Sequence, residues 1–191
     1  AVGSAINCSI GGFDFALAKY EKNGTLDTTF GTQGRTTTHF GFGHDRGRAL
    51  AVLGDNKILV AGSASNGTDD DFALARYTAD GTLDTTFGTG GKVTTDFGYG
   101  YDAVSTLSLL GDGRILVGGR VSNGTDNDFA LARYSAAGVL DPTFGLEGKV
   151  LIDFGSGNDR LLAYETLENG KILVAGAASN GTDEDFGLAM W

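Results

Sequence analysis

Short apolar segments separated by turn residues recur along the whole chain. Within residues 92–148 four of them follow one another: Lys92–Phe97, Val104–Leu110, Arg114–Val121 and Asp128–Tyr134. The first is rich in β-branched residues, which favour strands, and the second ends at a Gly-Asp-Gly turn that leads into the third. The fourth contains Ala, Leu and Arg, which favour a helix, but it is only about seven residues long and is bounded by turns. The pattern therefore predicts an all-β fold of short antiparallel strands.

One sequence string returns at a fixed spacing. Asp-Phe-Ala-Leu-Ala-(Lys/Arg)-Tyr begins at Asp14, Asp71 and Asp128, and an altered copy begins at Asp185, each 57 residues after the one before. A fixed period of this length indicates one supersecondary unit copied along the chain. The third and fourth segments of each unit show little polar alternation, which suits sheets covered on both faces. We predict a propeller-like array of four-stranded antiparallel blades.

The period divides the chain into a single repeat domain of residues 1–191. A partial N-terminal blade and connector covers residues 1–34, and the repeats cover 35–91, 92–148 and 149–191. With Lys92–Phe97 as the first strand of its set, the count is fourteen strands, or about three and a half blades. A half blade leaves a sheet edge open to pairing. A four-bladed ring with one incomplete blade, a larger ring shared by two chains and a fragment of a longer array all fit this count.

The single proline bears on the segment between the repeats. Pro142 stands where the sister copies have Thr28 and Thr85 in the string Leu-Asp-x-Thr-Phe-Gly. Proline has no amide hydrogen, so this position needs no backbone hydrogen bond. We predict that the string is a connector between blades and not a central strand.

Several strings together point to a known family. Phe-Ala-Leu-Ala-Arg-Tyr, Asp-Gly-x-Leu-Asp-x-Thr-Phe-Gly, Gly-Lys-Val and Lys-Ile-Leu-Val-Ala-Gly follow one another in order. This succession resembles the delta-60 repeat family of bacterial surface and secreted proteins, and the resemblance covers almost the whole chain. It implies a β-propeller fold and an extracellular or cell-surface location in a bacterium. It implies no general enzymatic activity.

Charge excludes some partners. Lysine and arginine total 14 and aspartate and glutamate 24, giving a net charge of −10. Nucleic acid and anionic membranes would be repelled by this charge. No run approaches the roughly 18 apolar residues of a membrane span, so no membrane insertion is expected. The N-terminus lacks the form of a signal peptide, so the chain is cytosolic or its signal has been removed, and we expect removal. Cys8 is the only cysteine and can form a disulfide only with another chain.

Turn aspartates are the candidate metal ligands. The pairs are Asp69 and Asp71, Asp126 and Asp128, and Asp183 and Asp185. Closely spaced carboxylates suit a hard cation such as Ca²⁺. The alternative is that these aspartates cap their turns. A second set, Asp45, Asp102 and Asp159, is predicted to accept hydrogen bonds from backbone amides. No cofactor is definitely indicated, and Ca²⁺ is the candidate.

The Phe-Gly loops carry the candidate ligand-binding residues, because their length is fixed while their aromatic content varies. These residues are Phe42, His44, Tyr99 and Tyr101. Variable side chains on loops held by a rigid scaffold are typical of binding sites. Exposed aromatic rings there would stack on a glycan. Packing of the same rings into the protein is the alternative.

The last two residues are the candidate self-association residues. Met190 and Trp191 replace the Arg133 and Tyr134 of the preceding copy. Terminal repeats differ from internal ones because they face something other than a sister repeat. The change predicts burial against a partner, in a homo-oligomer or filament, and ordinary sequence drift is the alternative explanation.

No catalytic residues are predicted, because the sequence contains no nucleophile elbow, zinc-protease helix or Cys-His pair. The predicted function is a non-enzymatic, extracellular structural or interaction module that self-associates through its incomplete blade. The alternative is a carbohydrate- or other ligand-binding module assisted by calcium. A hydrolase or lyase that uses acidic residues in a propeller mouth is the third hypothesis.

Overall fold

The computed structural model describes residues 1–7, 11–98, 100–155 and 157–191, and it confirms the all-β prediction. Fourteen strands lie within these residues, the number expected from the sequence. Cys8, the only cysteine, lies outside the described residues. In chain order the strands are β1 (Val2–Asn7), β2 (Gly12–Ala18), β3 (Arg35–Thr38), β4 (Phe42–Val52), β5 (Ile58–Ser65), β6 (Asp70–Tyr77), β7 (Lys92–Thr95), β8 (Ala103–Leu109), β9 (Ile115–Ser122), β10 (Asn127–Tyr134), β11 (Lys149–Ile152), β12 (Arg160–Thr166), β13 (Ile172–Ser179) and β14 (Glu184–Met190). The described residues include no helix long and apolar enough to cross a membrane.

The strands form four antiparallel sheets in two compact units. The first unit, Ala1–Thr95, contains the sheets β1-β2-β3 and β4-β5-β6-β7. The second unit, Asp96–Trp191, contains the sheets β8-β9-β10-β11 and β12-β13-β14. We call these the first, second, third and fourth sheets. The first and fourth sheets have three strands, and the two between them in sequence have four.

The pairing corrects the predicted grouping of strands. β7 was expected to begin a new set, but it pairs with β6, with Phe72 opposite Thr95, and so ends the second sheet. The string Leu-Asp-x-Thr-Phe-Gly therefore connects two strands of one sheet. The prediction that it is not a central strand is confirmed, and its predicted place between blades is wrong. The 57-residue periods and the sheets consequently have different boundaries.

In the first unit, the core joins aromatic rings from β2 and β6. Phe15 and Tyr77 are fully buried, together with Phe30 from the connector after β2. The Tyr77 hydroxyl donates to Thr38 Oγ1 at 2.7 Å, which satisfies its only polar group inside the core. Burial raises the pKa of Tyr77 to about 12.

In the second unit, the third and fourth sheets pack face to face. Phe129 and Leu131 of β10 share a buried cluster with Leu161 and Val174 of the fourth sheet. Gly118 permits the close approach, because a Cβ there would lie 3.0 Å from Leu161 Cδ2. The absence of a side chain at this position of β9 therefore allows the two sheets to approach closely.

An ion pair and an aromatic ring hold each connector in place. Arg76 Nε donates to Asp84 Oδ2 at 2.7 Å, and both side chains are buried. The Arg76 guanidinium also lies over the Phe87 ring, 4.7 Å from its centroid. The Thr86 hydroxyl and the Lys57 ammonium hold the pKa of Asp84 well below its usual range. The connector is thereby tied to the strand that precedes it.

The same arrangement occurs at the other two connectors. Lys19 Nζ lies 2.9 Å from Asp27 Oδ2, and Arg133 Nε donates to Asp141 Oδ2 at 2.8 Å. Hydrogen bonds from Thr29, followed by the one from Lys19, lower the pKa of Asp27 to about 2. The basic residue of each Phe-Ala-Leu-Ala-(Lys/Arg)-Tyr string is therefore the partner of the aspartate in the following connector.

Candidate functional site

A buried aspartate organises each Phe-Gly loop. Asp45 accepts hydrogen bonds from the Phe40 amide at 2.8 Å and the Ser65 amide at 3.3 Å. Burial raises the pKa of Asp45, while the bond from Phe40 opposes that shift. The same pair of bonds joins Asp102 to Phe97 and Ser122, and Asp159 to Phe154 and Ser179. These bonds confirm the predicted backbone-binding role of this set.

In the first unit, a histidine lies between two of the carboxylates. His39 Nδ1 is 3.2 Å from Asp14 Oδ1 and 3.2 Å from Asp45 Oδ2. Phe15 pairs with Thr38 at the end of β2 and β3, so Asp14 and His39 face each other at the next position. Facing two acceptors, Nδ1 must carry the ring proton. The imidazole thus supplies positive polarity between two buried acidic groups.

In the second unit, the equivalent place holds three carboxylates. One oxygen from each of Asp128, Asp153 and Asp159 lies within 4.8 Å of the others. Asp128 is only 4% exposed, and its Oδ1 has no hydrogen-bond partner within the part of the chain that the structure describes. Burial raises the pKa of Asp128, and the nearby carboxylates of Asp153, Asp126 and Asp159 raise it further. These three aspartates form the most acidic arrangement we find within the second unit, and we call it the carboxylate cluster.

The turn aspartates predicted as calcium ligands are bound by asparagine. Asn123 Nδ2 donates to Asp126 Oδ1 at 2.6 Å and to Asp128 Oδ2 at 3.0 Å, so one amide bridges both carboxylates. Asn66 bridges Asp69 and Asp71 in the same way, while Asn180 donates to Asp185 and accepts from the Asp183 amide. Asp128 is the member of the predicted set that joins the carboxylate cluster. Sequence reasoning did not connect it with Asp153, which lies 25 residues further along the chain.

The aromatic loop residues have different surroundings. Phe42 and Tyr101 are 59% and 63% exposed. His44 is also exposed, but its ring packs on Phe13 with the centroids 5.2 Å apart. Tyr99 lies outside the described residues. Phe42 and His44 lie at the start of β4, which corrects their predicted place in a loop, and the contact of His44 is with Phe13 at the start of β2.

One strand of the fourth sheet has an uncovered apolar face. Phe186 is 76% exposed, and Leu188, Met190 and Trp191 are each at least half exposed. Phe186, Leu188 and Met190 alternate along β14 and therefore lie on one face of it. β14 is also the last strand in the pairing order of its sheet, next to β13 alone. We call these three residues the β14 face.

The first unit contains a cleft of about 520 Å³ next to the N-terminus. Leu17, Phe30, Val52 and Ile58 are among its lining residues. The described lining residues include the ammonium of Lys19 and no carboxylate. The cleft is thus suited to apolar contact and lacks an acid–base pair.

Comparison with known proteins supports the repeat architecture. The family model described as "Domain of unknown function (DUF5122) beta-propeller" matches residues 2–30, 53–87 and 110–144. Each matched segment ends at the phenylalanine of a connector, and together they make up more than half of the chain. No curated protein matches the chain significantly. The fold class and the repeated connector thus agree with the match, and the chain belongs to this β-propeller family.

Proposed function

We propose that this chain is a non-enzymatic, extracellular structural or interaction module that self-associates through β14. The exposed apolar side chains of the β14 face carry the proposal. Their equivalents in β10, Phe129 and Leu131, are completely buried against the fourth sheet. A strand with an open hydrogen-bonding edge and an apolar face pairs readily with another chain.

The proposed occupant of the β14 face is a second copy of the chain. On the first sheet, Gly3, Ala5 and Ala16 line a shallow depression of about 210 Å³. Small residues there would accept the large side chains of the β14 face, as Gly118 accepts Leu161 within the second unit. A contact between two different surfaces is heterologous, so it closes into a ring or continues as a filament.

The expected affinity is modest. Complete burial of one large apolar side chain contributes roughly 1.5–3 kcal/mol. Phe186, Leu188 and Met190 are 54–76% exposed, so their burial contributes only part of this value, and association costs translational and rotational freedom. We therefore expect self-association in the micromolar range, strengthened by any backbone pairing along β14.

Sedimentation equilibrium of the purified chain tests this proposal. The wild type should form oligomers at micromolar concentrations, and Leu188→Asp should be monomeric because it places a charge in the contact. Leu146→Asp is the matched control, since Leu146 is a leucine even more exposed than Leu188 but lies in a connector turn. A wild type that stays monomeric at high concentration, or a Leu188→Asp variant that associates normally, would refute the proposal.

The extracellular location and the absence of catalysis are parts of the same proposal. The resemblance to delta-60 repeats, the net charge of −10 and the single cysteine support a secreted bacterial protein. Many acidic side chains already serve as hydrogen-bond acceptors, as Asp45 does for the Phe40 and Ser65 amides. Immunoblots of separated culture medium, envelope and cytosol would show where the native protein is located, and a purely cytosolic protein would contradict the assignment.

Glycan binding is the second candidate function, favoured by the exposed rings of Phe42 and Tyr101. Aromatic rings on loops supply the flat apolar surface on which sugars stack. A glycan array probed with and without Ca²⁺ tests this function. Binding that is lost in Phe42→Ala or Tyr101→Ala would support it, and an array without signal in both conditions would exclude it.

A further inference from the structure

The carboxylate cluster and the group of Asp14, His39 and Asp45 in the first unit occupy equivalent positions of the repeat. His39 precedes Asp153 by two periods of 57 residues, and Asp14 and Asp45 precede Asp128 and Asp159 by the same distance. Both clusters have the same framework, because each has an aspartate that accepts from one loop amide and from one amide at the end of a strand. The difference is that one has an imidazole between its two buried carboxylates, and the other has a third carboxylate.

The carboxylate cluster contains an acceptor for which the described residues supply no donor. Asp128 Oδ2 accepts from Asn123 Nδ2 at 3.0 Å, whereas Oδ1 is buried without a partner. An unsatisfied buried acceptor costs about 1–3 kcal/mol, and more when it is charged. In the first unit, the corresponding Asp14 has His39 Nδ1 at 3.2 Å. The carboxylate cluster thus has no counterpart of the ring N–H that His39 places beside Asp14.

We propose that Asp128, Asp153 and Asp159 bind a divalent cation, with Ca²⁺ the preferred ion. The cation would lie among the three carboxylates and take the electrostatic role that the imidazole of His39 has in the first unit. This site differs from the pairs of turn aspartates and depends on different residues from the proposed self-association.

The residues fit a hard cation. Ca²⁺ takes six to eight oxygen ligands, supplied by carboxylates, carbonyls and water. The three aspartates together have six carboxylate oxygens. Because Asp153 is exposed, one side of the site is open to water, which can supply further ligands. The bonds from the Phe154 and Ser179 amides fix the carboxylate of Asp159 at 2.9 Å from each nitrogen. The β10 backbone fixes Asp128, so two of the three ligands are preorganised.

The cross-strand register explains why the three residues meet. Phe129 pairs with Ile152 at the end of β10 and β11, so Asp128 and Asp153 face each other at the next position. Asp159 comes immediately before β12, where the loop after β11 leads into the fourth sheet. The Asp159 amide donates to the Asn127 carbonyl at 2.5 Å, which holds the loop against the start of β10.

Calorimetric titration of the EDTA-treated, desalted full chain with CaCl₂ tests the proposal. The wild type should bind Ca²⁺ more tightly than Mg²⁺, and Asp153→Asn should weaken binding on the order of tenfold or more, because ligand charge sets Ca²⁺ affinity. Asparagine retains an oxygen to accept from the Gly155 amide, so this variant preserves the loop contact. Asp112→Asn, in an exposed hairpin of the same unit, is the matched control and should bind like the wild type.

Two results would overturn the proposal. One is a wild type that binds no Ca²⁺ at millimolar concentration. The other is an Asp153→Asn variant that binds Ca²⁺ like the wild type. If, in addition, Asp126→Asn loses binding, the site is the turn pair of Asp126 and Asp128 and not the carboxylate cluster. Asp71, Asp96 and Asp102 stand at the equivalent sequence positions of the preceding repeat, so the chain can bind more than one Ca²⁺ ion. The test of the site is therefore the loss of affinity in Asp153→Asn, and not the number of ions that the wild type binds.

An exchange of residues between the two clusters gives an independent test. Asp153→His copies the first-unit cluster and should lose the Ca²⁺-dependent rise in melting temperature. His39→Asp copies the carboxylate cluster and should bind additional Ca²⁺ and melt lower than the wild type in EDTA. Circular dichroism would verify that each variant is folded. A folded His39→Asp variant that binds no more Ca²⁺ than the wild type would overturn the equivalence of the clusters on which the proposal depends.

Discussion

Strands β10 and β14 carry the same motif one repeat apart and have opposite surroundings. In β10, Phe129 and Leu131 are completely buried. In β14, Phe186 and Leu188 are 76% and 54% exposed. β10 pairs with a strand on each side and packs against the fourth sheet, whereas among the described strands β14 pairs only with β13. The motif thus supplies apolar side chains that can be buried. Whether they are buried depends on whether another sheet packs against the strand.

The sequence differences between the two strands follow from these surroundings. Arg133 of β10 binds Asp141 in the connector, and the equivalent residue of β14 is Met190. Gly187 replaces the alanine of β10, and a Cβ at this position would lie 2.9 Å from Ala178 Cβ. β14 is therefore specialised on both faces: one side fits closely against its own unit and the other is apolar and uncovered.

The largest effect is expected from removing the phenylalanine at equivalent positions. Phe129→Ala should lower the free energy of unfolding by about 3–5 kcal/mol, because it leaves a cavity in the buried cluster. Phe186→Ala should change the stability of the monomer by no more than about 0.5 kcal/mol, as for other surface positions. Urea unfolding at a concentration below the association range measures both. Equal losses in the two variants would show that β14 is covered within the monomer.

A smaller effect is expected from changing the basic residue of β10 to that of β14. Arg133→Met removes the hydrogen bond to Asp141 and the contact with the Phe144 ring, 4.5 Å from the guanidinium. The melting temperature should fall by a few degrees, since Arg114 still binds Asp141. Met190→Arg is the reciprocal variant and should leave the melting temperature unchanged. A gain in stability from Met190→Arg would reveal an acidic partner for this position.

The smallest effect is expected on the stability of the protein in acid, through Asp27 in the connector after β2. The folded-state pKa of Asp27 is lowered from 3.8 to about 2, chiefly by Thr29 and then by Lys19. A lowered pKa stabilises the folded state above the unfolded value, and that contribution is lost as pH falls from 3.8 towards 2. Asp27→Asn should therefore flatten the pH dependence of the melting temperature in this window. An unchanged slope would mean that the Lys19 and Thr29 contacts are weak in solution.

The sequence predicted the strands well and their partners poorly. β-branched segments, tight turns and the strict period located the fourteen strands and the all-β class. The error was the sheet to which β7 was assigned. A hydrophobic pattern indicates which residues are buried, but it does not indicate which strand pairs with which. Its partner is fixed by the connector, through the buried pair of Arg76 and Asp84 and the backbone bond from the Arg76 amide to the Gly91 carbonyl.

The candidate sites were predicted only where neighbouring residues in sequence are neighbours in space. The backbone-binding role of Asp45 follows from local loop chemistry and was expected. The carboxylate cluster joins the start of β10 to the loop after β11, so periodicity along one strand could not reveal it. One signal was present in the sequence: His39 stands where the next copies have Asp96 and Asp153. A histidine that replaces an aspartate in a repeat indicates a local change of charge.

Hydrogen exchange at two protein concentrations tests the central claim that β14 is open in the monomer and covered in the assembly. Mass spectrometry would follow peptides from β10 and β14 at a concentration below and a concentration above the association range. We predict that β14 exchanges rapidly in the dilute sample and becomes protected in the concentrated one, while β10 is protected in both. Protection of β14 that is complete in the dilute monomer, or that does not change on association, would contradict the account.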